Sequence, residues 1–356
     1  MIYYPSLTRV LPLTTVRRER VLPLDGEVLV EFGAHVEAQT IVARARVPGR
    51  YLILDVAQDL KVSPEAAERY IRPKPGQRVK AGQAIARRQI ALGLFPRVVR
   101  APQTGIVVAV GSGRVLLETA GEPVALRAFL PGTVANVLPR LGVLIESVGA
   151  WIQGTWGLGD EAFGVLKVLV EQPGDPLRAR AIDVASHGAV LVGGSTMNQD
   201  ALQQAQELQV RGIVIGSMDP MLVEMAEEMP FPIIATEGFG EAPMAFSIFQ
   251  LLSTNDGREA AISGRLQSRW GAVRPEIIIP LPAGSAPPPP PPGSPVDVGA
   301  ELRVVRGPLT GKVGTVRQLP PQPGALETGQ RTEGAIVAFE DGGEQFVPFF
   351  NAEFLG

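Results

Sequence analysis

The sequence predicts a multidomain α+β protein: an all-β first third, an α/β middle, and a small β-barrel at the C-terminal end. Three observations carry this reading. Valine-rich runs punctuated by glycine, with no long helical period outside residues 64–70, fill the first 130 residues. Apolar strand-like runs then alternate with helical patterns up to residue 280. Six consecutive prolines, Pro287 to Pro292, separate off the remainder. At 356 residues the chain exceeds one typical core. The expected division is 1–130, 131–280, a linker at 281–295 and a barrel at 296–356.

The first third contains an internal repeat. Residues 33–45, G-A-H-V-E-A-Q-T-I-V-A-R-A, align with residues 76–88, G-Q-R-V-K-A-G-Q-A-I-A-R-R, and V-R-A-P-Q-T-G-I-V-V-A-V follows at 99–110. This order resembles the barrel-sandwich hybrid shared by biotinyl and lipoyl carriers and by RnfC-type electron-transport subunits. The carrier chemistry does not transfer. A carrier needs a lysine at the hairpin tip between the two elements, and none occurs between Lys80 and Pro102. The unit reads as a structural or docking module.

In the middle third, residues 142–148, 189–194, 212–217 and 232–238 read as buried parallel strands. Helices are expected at 199–209, 220–229 and 242–252, the second opened by Asp219 as N-cap and Pro220 at its first position. Strand and helix alternate, which predicts a Rossmann-like open sheet. Residues 193–236 resemble the DRTGG-type domain at the front of HPr kinases and in regulatory proteins, a likeness that brings no catalytic residue.

Three strand ends converge on small polar groups: Gly193, Gly194 and Ser195; Gly216, Ser217 and Asp219; Thr236 and Glu237. In open α/β sheets ligands bind outside the carboxyl ends of the strands, where helix-start amides favour an anion. These residues are therefore the candidate small-anion site, and ordinary βα turns are the competing reading. Asp219 and Glu237 would repel a highly charged phosphate.

Residues 281–295 read as a polyproline II spacer rising about 3.1 Å per residue. Beyond it, V-V-R-G-P-L-T-G-K-V-G-T-V at 304–316 runs a strand into glycine turns, and an Asp341-Gly342 turn joins two alternating strands. The segment resembles the KOW motif of small SH3-like barrels in ribosomal proteins and NusG-type elongation factors. The resemblance implies contact with RNA or a ribonucleoprotein machine, with Arg306, Gly307, Gly311, Lys312 and Gly314 at the matching loop.

Composition removes several chemistries. The chain has no cysteine, hence no disulfide, thiolate metal site or iron–sulfur ligation. Its two histidines, His35 and His187, form no spaced ligand pair, and His187 reads as a turn residue. Ser195 and Ser217 lack the G-x-S-x-G elbow, and the glycines at 154–164 lack the dinucleotide spacing. Trp151 and Trp156 read as core or interface residues rather than a stacking surface. No catalytic residue, metal or cofactor is assigned, and an enzyme the sequence does not advertise stands as a third reading behind binding protein and anion sensor. The start lacks a secretory layout and no apolar run reaches about eighteen residues, so a cytoplasmic protein without a membrane span is expected. The net charge of -3 divides into +8 for residues 1–130, -8 for 131–295 and -3 for 296–356. The basic third either meets a phosphate-rich partner or docks on the acidic middle.

Overall fold

The computed structural model describes residues 6–46, 49–90, 95–119, 121, 123–266, 273–282, 284–289, 296–326, 331–339 and 342–355. The protein is mainly β with few, short helices. Its several sheets include a large mixed one with a parallel stretch.

Strands β1 (Ser6–Thr8) and β2 (Val10–Val21) enter different sheets. An outer unit then begins with β3 (Glu27–Val28), β4 (His35–Val36) and β5 (Ile41–Arg46). Here the chain departs into a second unit made of β6 (Tyr51–Asp55), α1 (Val56–Leu60), α2 (Pro64–Glu68), β7 (Arg78–Val79), β8 (Ala84–Ile90), β9 (Phe95–Arg100), β10 (Gly105–Gly111) and β11 (Arg114–Thr119). It returns as β12 (Pro123–Arg127), which pairs antiparallel with β5 and sets Pro123 opposite Arg46. The second unit is thus inserted between two paired strands of the first. It has its own core, including Leu60, Val79, Ile85, Val107, Val115 and Leu117. Local sequence starts its helices: Asp55 accepts from the Gln58 amide at 3.0 Å, and Ser63 precedes Pro64 at the first turn.

The outer unit is completed by β13 (Gly132–Leu138) and β14 (Gly142–Gln153). The repeat in the sequence proves to be a repeat of geometry. In the outer unit the Gly33 amide donates to Val134 O, the Val134 amide to Ala34 O, and His35–Val36 pair with Thr133 and Gly132. In the inserted unit the Gly76 amide donates to Val107 O, the Val107 amide to Gln77 O, and Arg78–Val79 pair with Ile106 and Gly105. Both pairing glycines are obligatory for one reason. A Cβ on Gly132 would lie 2.3 Å from Glu146 O, and one on Gly105 would lie 2.3 Å from Glu118 O.

The large sheet continues with β15 (Trp156–Leu158), β16 (Glu161–Val168), β17 (Ala189–Val192), α3 (Gln199–Glu207), β18 (Gly212–Met218), α4 (Val223–Glu227), β19 (Ile233–Phe239), α5 (Phe246–Thr254), β20 (Glu259–Ser263) and β21 (Glu276–Pro280). Strands β16, β17, β18 and β19 are parallel neighbours in sequence order, and β20 returns antiparallel on the other side of β16. Side chains alternate between the faces. Leu191, Ile213, Ile215 and Ile233 pack under α3 and α4, while Val190, Val192, Val214 and Ile234 pack under α5. One expectation changes here. The run at 142–148 is not a parallel strand: as β14 it is antiparallel to β2, β13 and β21, because those three supply its neighbours on both edges. Trp151, 8% exposed, has the guanidinium groups of Arg9 and Arg18 at 4.8 and 4.6 Å from its ring centre and donates its indole N–H to Glu276.

The last sheet is built from β22 (Glu301–Val304), β23 (Val313–Gln318), β26 (Gly334–Phe339), β27 (Glu344–Pro348) and β28 (Ala352–Leu355), with the short pair β24 (Gly324–Ala325) and β25 (Arg331–Thr332) beside it. Asp341 of the expected turn lies outside the described residues, but β26 and β27 pair antiparallel on either side of it. Pairing cuts across the boundaries read from sequence. Strand β1 joins this C-terminal sheet, parallel to β28, and β2 belongs to the large sheet through β14. The linker differs from a free spacer wherever it is described. Thr15 donates its amide to Pro287 O at 2.9 Å and its hydroxyl to Ala286 O, and the Thr14 hydroxyl also reaches Pro287 O. Prolines cannot donate, but their carbonyls accept, and here they cover the open edge of β2. Residues 290–295 lie outside the described part.

Candidate functional site: the junction of the mixed sheet and the C-terminal sheet

The two sets of residues singled out in the sequence lie side by side. The carboxyl ends of β17, β18 and β19 carry the glycine, serine and threonine positions. Against them rests the C-terminal sheet, whose loop residue Gly311 approaches Ala242 so closely that an added Cβ would lie 3.7 Å from the alanine methyl.

The strand-end crevice is filled by the chain itself. Residues 172–175, after β16, fold over the end of β17. Gly194 and Ser195 donate their amides to Asp175 O at 3.1 and 3.0 Å, and Ser195 Oγ donates to Gly174 O. A Cβ on Gly194 would meet Gln172 O and Asp175 O at 2.5 Å, and one on Gly193 would meet Leu177 Cβ at 2.8 Å. At the end of β18, the Gly216 amide goes to Gly194 O, the Ser217 amide to Ser195 O and the Ser217 hydroxyl to Ala242 O. Asp219 accepts from the Met221 amide at 2.9 Å, capping the 3-10 turn Pro220–Leu222. The glycines serve close backbone approach, and their amides, with the amides and hydroxyls of Ser195 and Ser217, are bonded to neighbouring loops.

Thr236 and Glu237 have a different fate, which sequence reasoning missed. Arg303 of β22, 2% exposed, reaches across and donates to Thr236 O at 2.7 Å, to Thr155 Oγ1 at 3.0 Å, and to the carboxylates of Glu237 and Glu353. Glu353 also takes Arg274 at 2.6 Å and the Thr8 hydroxyl, while Glu237 accepts the Ala245 amide at 3.0 Å. Among the described residues, two guanidinium groups and two carboxylates thus meet in one cluster linking β1, β19, β22 and β28. Burial alone would raise the Glu353 carboxyl, but the charge of Arg303 and hydrogen bonds from Thr8, Arg274 and Arg303 outweigh it and hold it below the usual range. Burial likewise acts to lower Arg303, and the two glutamates override it, leaving its pKa raised. Alternation sets Arg303 on the face opposite the buried Leu302 and Val304, where a charge reads as solvent-facing, so no local pattern marks it.

Beside this cluster lies an open groove of about 830 Å³, walled on one side by residues 242–247 and on the other by the C-terminal sheet. Gly311, Lys312 and Gly314 line it, together with Arg317, Glu301 and Phe339. Lys312 Nζ lies 5.8 Å from the centre of the Phe339 ring. Phe246, 56% exposed, stands at the start of α5, whose N-cap Ala245 provides no side-chain cap. Arg306 and Gly307 do not line the groove. Gly307 takes a left-handed φ of 97° beside Asn351, where a glycine is required.

His187 Nδ1 lies 3.0 Å from Leu208 O in a turn, and Trp156 packs against Phe239 at 5.3 Å. Among the described residues no group of three or more His, Asp or Glu side chains is placed to hold a metal ion, and no helix is long and apolar enough to cross a membrane. The chain matches no family model and no curated protein.

Proposed function

We propose that this chain is a non-enzymatic binding protein that contacts RNA or a ribonucleoprotein machine through its C-terminal barrel. In fold terms we read the outer and inserted units as two barrel-sandwich hybrids, one nested in the other, the middle as a Rossmann-like α/β unit, and the last sheet with β1 as an SH3-like barrel of the KOW kind. The observation that carries the functional reading is the groove. The loop resembling the KOW motif supplies Gly311, Lys312 and Gly314 to one wall, and Phe246 and the first residues of α5 form the other. Two cations beside exposed aromatic surface suit a phosphodiester with an unstacked base. The groove also holds Glu301, so the grip is selective rather than generically electrostatic. Cytoplasmic location accompanies this reading.

The small-anion alternative draws less support, because the amides at the ends of β17 and β18 already have partners within the chain. Fluorescence anisotropy of a labelled single-stranded RNA with the full chain tests the proposal. Lys312→Ala with Arg317→Ala should weaken binding and reduce the slope of log K against log salt by about 1.4, at about 0.7 per lost phosphate contact. Arg306→Ala alone should change neither. Parental affinity and slope in the double variant would exclude the groove.

A further inference from the structure

We infer that the inserted unit, residues 49–119, carries a second nucleic-acid surface of its own: an arginine-rich face around the β8–β9 hairpin that grips phosphate backbone. The charge is concentrated there. The unit holds twelve Lys+Arg against five Asp+Glu, whereas the rest of residues 1–130 holds seven against six. Between residues 69 and 117 there are ten basic residues and no acidic one. An ordinary solvated face intersperses both signs, and a run of this length with one sign does not arise from solvation alone.

The fold gathers these cations. In the β8–β9 ladder Arg87 stands opposite Val98 and Arg100 opposite Ala84. Val99 is turned into the core at 7% exposure, so Val98 and Arg100, and with Val98 also Arg87, face solvent. The exposed Arg72 and Lys74 belong to a segment running beside β8, fixed by the Ile71–Ala86 bridge and the Arg72 amide on Ile85 O. Lys80 begins the turn whose Gly82 carbonyl accepts Arg100 at 2.8 Å. Four neighbouring segments therefore present cations to one surface.

Arg88 and Arg100 donate to backbone carbonyls of the unit, but the charges are almost wholly unbalanced by carboxylates. Of the ten, only Arg114 meets a carboxylate among the described residues, Asp55 at 3.1 Å. No hydrogen bond or ion pair between described residues joins the unit to the rest of the chain. The arginines that do dock on acidic residues of the large sheet lie elsewhere: Arg17, Arg18 and Arg20 of β2 meet Glu146, Glu276 and Glu161. The partner of the inserted unit is therefore external and anionic. Nine of its twelve cations are arginine, whose planar fork matches paired phosphate oxygens. A membrane surface fits less well, since it needs apolar side chains beside the cations. Here the exposed Tyr51, Ile53, Ile106 and Val108 lie in the other sheet of the unit, β6–β11–β10–β7, away from Arg72, Lys74 and Arg87, and of the cations in that sheet Arg78 alone stands opposite one of them, Ile106.

The surface is separate from the junction groove, and one set of titrations distinguishes them. The probe is a labelled single-stranded RNA of about 20 nucleotides, titrated with the full chain from about 50 to 200 mM salt. Arg72→Ala, Lys74→Ala and Arg87→Ala are combined, because none of these side chains hydrogen-bonds to another described residue. The triple variant should lose at least tenfold in affinity at low salt, and its salt slope should fall by about 2, at about 0.7 per contact. Ile53→Ser with Ile106→Ser, on the opposite layer, should leave both unchanged. Parental affinity and slope in the triple variant overturn the inference, whatever the groove variant does. Loss in the triple variant alone leaves this surface standing and removes the groove. Binding to phosphatidylserine vesicles but not to RNA or duplex DNA also overturns it, in favour of a membrane surface.

Discussion

Arg303 is the residue on which the junction depends. Removing one member of a buried ion pair leaves the other desolvated, which costs about 3–5 kcal/mol. Arg303→Met should therefore lower stability by about that amount in denaturant titration, with Glu237 left without a cation and Glu353 held by Arg274 and Thr8 alone. Adding Glu237→Gln should restore part of the loss, because the buried carboxylate that Arg303 paired disappears with it. The sign of the pH effect follows from the depressed Glu353 carboxyl. A carboxyl held below its unfolded value, about 4.3 for glutamate, contributes stability above that value and loses it as pH falls through the folded one. Between about pH 5 and pH 3 the parent should lose more stability than Glu353→Gln, read from the denaturant midpoint at each pH. An equal pH dependence in both would show that the Glu353 carboxyl titrates alike in the folded and unfolded states. None of this was legible beforehand. Thr8 and Glu353 are neighbours across nearly the whole chain, and no local pattern encodes that pairing. Glu237 was noticed for its place at a strand end, which is where it lies, but its charge answers Arg303 rather than an open crevice.

At the level of elements, glycine and proline positions were the readable part of the sequence. Gly33, Gly76 and Gly82 all take left-handed φ values, and the repeat they mark is the repeat of two turns. What the sequence could not show is nesting, since a β5–β12 pairing leaves no trace in the seventy-odd residues between its strands. The insertion makes two predictions. Gly105→Ala places a methyl against Glu118 O and should unfold the inserted unit alone, seen as new protease sites confined to residues 49–119 while the rest stays resistant. Conversely, replacing residues 49–119 by a short glycine–serine turn should leave a cooperatively folding remainder, because Arg46 and Pro123 already face each other across the ladder. Loss of cooperative unfolding in that deletion would mean that the outer unit needs its guest.

For the whole molecule, the parallel stretch within residues 189–238 and the strand pair at 334–348 are legible in the sequence, while the pairing of β1 with the C-terminal sheet is not. Strand β1 and the Arg303 cluster tie the C-terminal sheet to both ends of the fold. Proteolysis within residues 281–295 should thus yield two pieces that co-elute on gel filtration and separate only in denaturant. Separation in native buffer would reduce the junction to a weak contact.

Strand β1 also sets a clock. Its partner β28 lies about 345 residues later, so at translation rates of about 5–20 residues per second the first strand waits roughly 17–70 s for the sheet it completes. Throughout that interval residues 6–8 have no native strand to pair with, and the Thr8 hydroxyl has no Glu353. The cluster at the junction closes only when Glu353 has left the ribosome. A chain truncated even a few residues short of Glu353 should therefore carry a loose beginning as well as a damaged end.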